Sequence, residues 1–550
     1  MDTQRLILFI VFSFSILMLW DAWQKEQHPA PVGQVVYKKA GVAQTPTPTT
    51  RATRAVDAPT KDFGGPLQTG ERVKVQTDLI YAEIDTLGGD VRRLELLKHH
   101  DTQDKSKNLV LLEDDPKHLY IAQSGLIGND LPTHKTLFSA VATHYKLAEG
   151  ANDVQVKLTW TGENGIKVDK VFTFFKGSYV VDVTYEIHNG STIRLEPHSY
   201  FQLVRNGQPP TGDPKFITTY TGPAIYTDKE KFHKISFSDI AKDKATYPKQ
   251  SNDGWVAMIQ LYFLSAWLPA NDQPREYYAK KLGDDIYDVG MVLPLGSIEP
   301  GSMKKITVPL YAGPQEQDHL SKVAPGLDLA VDYGVLTVIS APLFWVLALL
   351  NKLVQNWGLA IILLTILIKL AFYPLSAKSY RSMAQMRVLG PKLQKLKEQY
   401  GDDRQRLHTA MMELYKTEKV NPLGGCLPVV VQIPVFIALY WALLNSVEMR
   451  QAPFMLWIHD LSAPDPYYIL PIVMGITMII QTKLNPTPPD PIQAKVMMIM
   501  PIAFSVFFFF FPAGLVLYWV VNNTLSIAQQ WYVTHGVEQA KAAAKGHAKH

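Results

Sequence analysis

Thirty-eight consecutive residues, Val496 to Val533, carry no charge. As one helix, at about 1.5 Å per residue, they would reach roughly 57 Å, nearly twice a hydrocarbon core of about 30 Å. Pro512, Ala513 and Gly514 supply a break near the middle. The stretch therefore predicts two membrane spans, 496–511 and 515–533. A purely soluble protein is excluded, although the averages of the 550 residues, 47% hydrophobic and 19% charged, resemble one.

Charge sorts the remaining apolar stretches. Residues 376–419 carry ten Lys/Arg, whereas 445–466 carry one, Arg450. The positive-inside rule places the first segment in the cytoplasm and the second outside. At the N-terminus, Leu6 to Trp20 is apolar except for serines, and no small-x-small cleavage site follows. Residues 1–23 are thus expected to form an uncleaved signal anchor. Counting from there gives six spans: 1–23, 357–375, 427–444, 467–481, 496–511 and 515–533. Residues 335–353, interrupted by Pro342, are expected to lie along the outer face as an interfacial helix. Residues 482–495 then form a cytoplasmic loop. The basic tail 534–550 is also cytoplasmic, as is the N-terminus.

Between the first two spans the pattern changes. Residues 24–70 repeat Pro among Thr, Gln and Ala with no apolar period, which reads as a flexible linker. Over 71–325 the period is two. Val73–Thr77, Asp153–Trp160 and Tyr179–Ile187 alternate apolar with polar residues and end at Gly, Asn or Asp turns. This predicts a large antiparallel β-sandwich. Trp160, Trp255 and Trp267 invite a sugar-binding surface, but core packing explains them as well. A lone Cys426 excludes a disulfide framework within the chain. A net charge of +4 is too weak to indicate nucleic acid.

Residues 376–419 read as a helical hairpin. Leu389, Leu393, Leu396 and Tyr400 form one stripe, and Leu407, Met411 and Leu414 another. Asp403 is positioned to cap the second helix. Met383, Met386, Met411 and Met412 offer adaptable contacts to apolar segments, or pack between the two helices.

Lys369 requires a physical explanation. It lies about 18 Å along a helix from Trp357. Facing lipid there would cost about 2.5–3.5 kcal/mol on insertion scales. It therefore faces protein or water, or snorkels to the cytoplasmic head groups. Thr365 lies one turn above it. Gln432 on another span, and Tyr518, Asn522 and Gln529 on one face of the last, add amides and a hydroxyl. The five spans after residue 356 contain no Asp or Glu, so a wet cavity with one positive charge fits better than an ion pair.

Five ordered motifs carry a resemblance: NPLGGCLP over 421–428, QIPVFIALY over 432–440, RQAPFMLWIHDLS over 450–462, DPYYILP over 465–471 and FPAGLVLYW over 511–519. Together they resemble the YidC/Oxa/Alb family of membrane insertases, in the Gram-negative form with a large periplasmic domain. The resemblance implies a non-enzymatic insertase and chaperone of the bacterial inner membrane, with no cofactor and no metal. It implies work alone or with the Sec translocon, through a hydrophilic groove open to cytoplasm and lipid. Nascent membrane proteins, membrane lipid, and a ribosome or targeting factor at the hairpin and tail are the implied partners, with no specific nucleic acid. By the same resemblance Thr365, Gln432, Tyr518 and Trp519 lie near the substrate path. Lys369 stands where the family usually has arginine.

Overall fold

The computed structural model describes residues 67–210, 219–401, 403–418, 420, 427–485 and 491–547. The expected signal anchor 1–23, nearly all of the linker 24–70, and the first six residues of the 421–428 motif lie outside them.

Strands occupy Arg72 to Pro314 and form two sheets, of ten and nine strands. At the centre of the first, His198–Asn206 pairs antiparallel with both Tyr120–Ile127 and Ile286–Pro294. In the second, Val180–Asn189 lies between Ile166–Phe175 and Met303–Pro314, again antiparallel. One pair departs from this rule: Arg72–Gln76 runs parallel to His144–Lys146. The two-residue period has a direct structural reading. Val73 and Val75 are buried while their neighbours are not, and Val181, Val183, Tyr185 and Ile187 point into the same core.

The core between the sheets also contains polar links. Lys170 of the second sheet is fully buried and donates to Gly88 O (2.9 Å) and Ser124 O (3.2 Å) of the first. The Tyr185 and Ser124 hydroxyls meet across the same gap at 3.0 Å. Trp255 and Trp267 are buried, and their indole N–H groups donate to Pro325 O and Gln202 O. Both serve the core and leave no face for a sugar. Trp160 is half-buried against the same core.

Beyond Leu336 the chain is helical. The helices are α1 (Thr337–Val354), α2 (Trp357–Ala371), α3 (Tyr373–Tyr400), α4 (Arg404–Thr417), α5 (Leu427–Asn445), α6 (Ile469–Leu484), α7 (Pro491–Phe507) and α8 (Ala513–His547). Among the described residues, α1 is the one helix long and apolar enough to cross a bilayer alone, and α2 with α3 could do so only as a pair bent by 67°. The turn between α1 and α2 is tight. Gln355 takes a left-handed conformation (φ 52°), and the Asn356 side chain caps α2 by accepting from Leu359 N. At the hairpin tip Asp403 accepts from the N–H groups of Gln405 and Arg406, which starts α4.

The break between α7 and α8 is held from outside. Phe508–Phe510 is a 3-10 turn and Phe511 is extended. The first N–H groups of α8 then donate to the loop that precedes α6: Ala513 N to Ala463 O (2.8 Å) and Gly514 N to Leu461 O (2.9 Å). In that loop Asp465 accepts from Tyr467 N and Leu470 N, so α6 starts at Ile469. At its other end α8 continues past Val533 to His547, because Glu, Gln, Ala and Lys there favour helix and no proline interrupts them.

Candidate functional site

Lys369 lies near the end of α2. Its ammonium donates to Ser526 Oγ of α8 at 2.6 Å. Ser526 is 2% exposed and donates its own proton to Asn522 O, one turn back, at 2.7 Å. Asn522 Oδ1 accepts from Gln432 Nε2 of α5. A chain of polar groups thus joins α2, α8 and α5. No carboxylate lies within ion-pair distance of Lys369 among the described residues.

A small cleft, with room for about one water molecule, opens beside this chain. Lys369, Gln432 and Ser376 are its polar lining, and Ile368, Phe372, Val431 and Val435 its apolar walls. It lies between α2, the start of α3, and α5.

The structure separates the residues named from sequence into two groups. Lys369, Gln432 and Asn522 belong to one connected cluster, and the first two face the cavity. Tyr518 and Trp519 lie deeper. Tyr518 is 1% exposed, stacks on Phe436 at 6.3 Å, and has its hydroxyl beside Gln432. Trp519 packs on the same ring at 4.9 Å. Thr365 does not reach the cavity: it is buried, and its hydroxyl donates to Ile361 O of its own helix at 2.7 Å. Gln529, sharing the face of Tyr518 and Asn522, donates to Tyr373 O at 3.4 Å.

Sequence reasoning passed over Ser526, although it follows Asn522 by four residues on a face already marked as polar. It also passed over the packing of the 445–466 loop. Phe454 of that loop lies on Gly358 of α2, and Phe454 O accepts from Asn356 Nδ2 at 2.9 Å. Arg450 donates to His100 O and Thr102 Oγ1 of the β-domain, and its guanidinium lies 5.4 Å from the Phe263 ring centre.

In the hairpin, Met383 packs with Ala377, Tyr380 and Val533, which roots α3 against α8. Met386 and Met411 are half-buried, and Met412 is exposed. Lys392 pairs with Glu418 between the two arms. Among the described residues no cluster of His, Cys, Asp or Glu could hold a metal ion.

Residues 72–346 match the family described as the YidC periplasmic domain, and residues 349–541 match the 60Kd inner membrane protein family. The seam between the two falls inside α1. The chain is 59% identical over 555 residues to the membrane protein insertase YidC of Methylobacillus flagellatus, covering 100% of both chains.

The chain belongs to the YidC family.

It is also 56% identical to the YidC of Nitrosospira multiformis, covering 98% of each. A solved structure titled as an active YidC insertase with its first transmembrane domain resolved matches 85% of this chain and 93% of that chain, at 18% identity and a TM-score of 0.39. As a YidC-family protein, the chain combines a β-rich domain of mainly antiparallel sheets with a helical C-terminal region.

Proposed function

We propose that this chain inserts inner-membrane proteins, and helps them fold, by lowering the barrier to moving a polar flank across the bilayer. The observation that carries this reading is the Lys369 ammonium, held inside the helical region by a neutral hydroxyl beside a cavity. A substrate helix gains about 0.3–0.6 kcal/mol for each central Leu, Ile, Phe or Val on the insertion scale, so its insertion is downhill and needs no nucleotide. The obstacle is the polar flank, which crosses hydrocarbon transiently. A wet cavity reaching part-way through shortens that crossing. Lys369 attracts acidic flanks and repels basic ones, in keeping with positive-inside topology. The substrate helix then leaves sideways into lipid.

The proposed topology has six spans, with both termini cytoplasmic and the β-domain periplasmic. The interfacial reading of α1 rests on loop charges, because its length would also allow it to cross. One feature supports the arrangement, and a second bears on the length of the crossing. Trp531 and Tyr532 of α8 are 61% and 69% exposed, as suits aromatic residues at a membrane interface. Ser526 lies five residues before Trp531, so Lys369 is held about 7.5 Å above that level, within the inner leaflet. In addition, α2 and α6 have 15 and 16 residues and so reach only about 22–24 Å. A bilayer of about 30 Å would have to thin around them, which shortens the crossing further.

The hairpin α3–α4, with Met412 exposed, would be the first contact for a nascent chain, a ribosome or a targeting factor. Work beside the Sec translocon belongs to the same reading. A site-specific crosslinking map tests it: photoreactive residues placed at 369 and 432, which line the cavity, should trap a stalled nascent membrane protein, and one at 365, turned away from it, should not. Labelling confined to the β-domain would overturn the groove.

A further inference from the structure

An ammonium on a four-carbon stem in an inner leaflet has an easy alternative, which is to snorkel to the head groups. Here it does not. Lys369 Nζ donates to Ser526 Oγ at 2.6 Å, and Ser526 is 2% exposed. The serine proton is committed to Asn522 O at 2.7 Å, so its oxygen faces the lysine as an acceptor. Tyr380 of α3 reaches the same hydroxyl with its side chain. Ser526 is thus the point where α2, α3 and α8 meet at the charge.

The chemistry of the partner matters. A carboxylate would hold the ammonium but cancel its charge. A hydroxyl takes one of its three N–H donors and leaves the charge whole, with the other two free to turn to the cavity lined by Gln432 and Ser376. We infer that Ser526 is a positioning residue that fixes the Lys369 ammonium at the cavity without neutralising it, and thereby sets the preference of the groove for acidic substrate flanks. The inference rests on the insertase reading above. It adds the device that keeps a flexible lysine working where a rigid arginine fork would need no such anchor.

The test uses the full chain in lipid vesicles. Its substrates are otherwise identical single-span proteins whose translocated tails are neutral or carry two acidic residues. Ser526→Ala should lower insertion of the acidic tail by about fivefold, the equivalent of one net hydrogen bond, and leave the neutral tail unchanged. Ser526→Thr keeps the oxygen and should restore wild-type behaviour. Ser526→Asp should abolish the preference for acidic tails, because it neutralises Lys369. Ser526→Ala added to Lys369→Ala should change nothing further. If Ser526→Ala fails to accumulate, Ser526→Cys, a near-isostere with a weak acceptor, should give the same split.

Equal loss on both tails would reduce Ser526 to a packing residue and overturn the proposal. So would wild-type insertion by Ser526→Ala while Lys369→Ala loses acidic tails selectively; the groove reading would then stand without the anchor. If Lys369→Ala inserts both tails as well as wild type, Lys369 selects nothing, the mechanism rests on the neutral polar groups, and this proposal fails.

Discussion

A buried cation with only a hydroxyl for a partner keeps its charge available to whatever enters beside it. That makes the consequences of changing Lys369 specific to charge. Lys369→Arg should retain function, since both charge and reach survive. Lys369→Glu should fail most on acidic tails and least on neutral ones. Lys369→Ala should be intermediate, because Gln432 and Asn522 still hold a polar path. The measurement is the inserted fraction of substrates that differ only in tail charge. Equal insertion of every tail by Ala and Glu variants would leave the mechanism to the neutral polar groups.

A second charged residue acts on stability instead. Asp288 lies on Ile286–Pro294 in the β-domain and has no exposed surface. Burial, partly opposed by Lys280, pushes its carboxyl up from 3.8 to about 7. The folded state therefore holds the proton more tightly than the unfolded state. Stability from this group is fully present below about pH 4 and is lost as pH rises through about 7. Asp288→Asn should flatten that slope and stabilise the β-domain above pH 7 by a few kcal/mol at most, read as a higher unfolding temperature. A wild-type unfolding temperature that rises between pH 5 and 7, with an unchanged slope in the variant, would contradict the assignment.

Among the elements, the 445–466 loop has a role larger than its length. It supplies carbonyls to the start of α8 and lays Phe454 on Gly358 of α2. A Cβ on Gly358 would stand 2.0 Å from Phe454 Cδ2 and 2.9 Å from its Cβ, too near the root of the side chain for the ring to swing clear. Gly358→Ala should therefore displace the loop and destabilise the helical region by about 1–3 kcal/mol, read as a lower unfolding temperature in detergent. Wild-type stability would show that the loop is not pinned there. This contact also marks the limit of what the sequence discloses. The alternation in Val73–Thr77 and Tyr179–Ile187 was legible because burial on one face of a strand writes itself into every second residue. The break at Pro512 was legible because proline and glycine act locally. Phe454 on Gly358, and Arg450 on His100, were not, because neither partner leaves a mark on its own neighbours. Thr365 was read as polar lining from its place above Lys369, yet its hydroxyl turns back to Ile361 O, a choice that helical spacing does not reveal. Ser526 was legible in position and hidden in role, since a serine in a helix usually makes only such a backbone bond.

At the scale of the whole molecule, the division of charge between loops makes a topological prediction. With Lys395→Cys, an impermeant thiol reagent added outside should find the site protected; with Ala463→Cys it should react. The reverse pattern would overturn the span count. The β-domain poses the larger question, because it holds nearly half the chain and contacts the helical region directly. Arg450 and Gln451 donate to backbone oxygens of His100 and Asp101, and Tyr333, which packs on Phe344 of α1, bonds Gln317. Surface hydrogen bonds of this kind are each worth only about 0.5–1.5 kcal/mol. The cavity is lined wholly from α2, α3 and α5, and its lysine is held by α8. Among the described residues, none from the β-domain takes part in either. Removing about residues 80–310, while keeping the first span and the 335–353 helix, should therefore preserve most insertion. The uncovered loop around Arg450 would cost stability first, so the truncation should unfold at a lower temperature than the full chain while still inserting substrates. Complete loss of insertion by a truncation that accumulates in the membrane with the correct orientation would instead place part of the working site in the β-domain, and the groove would no longer be sufficient.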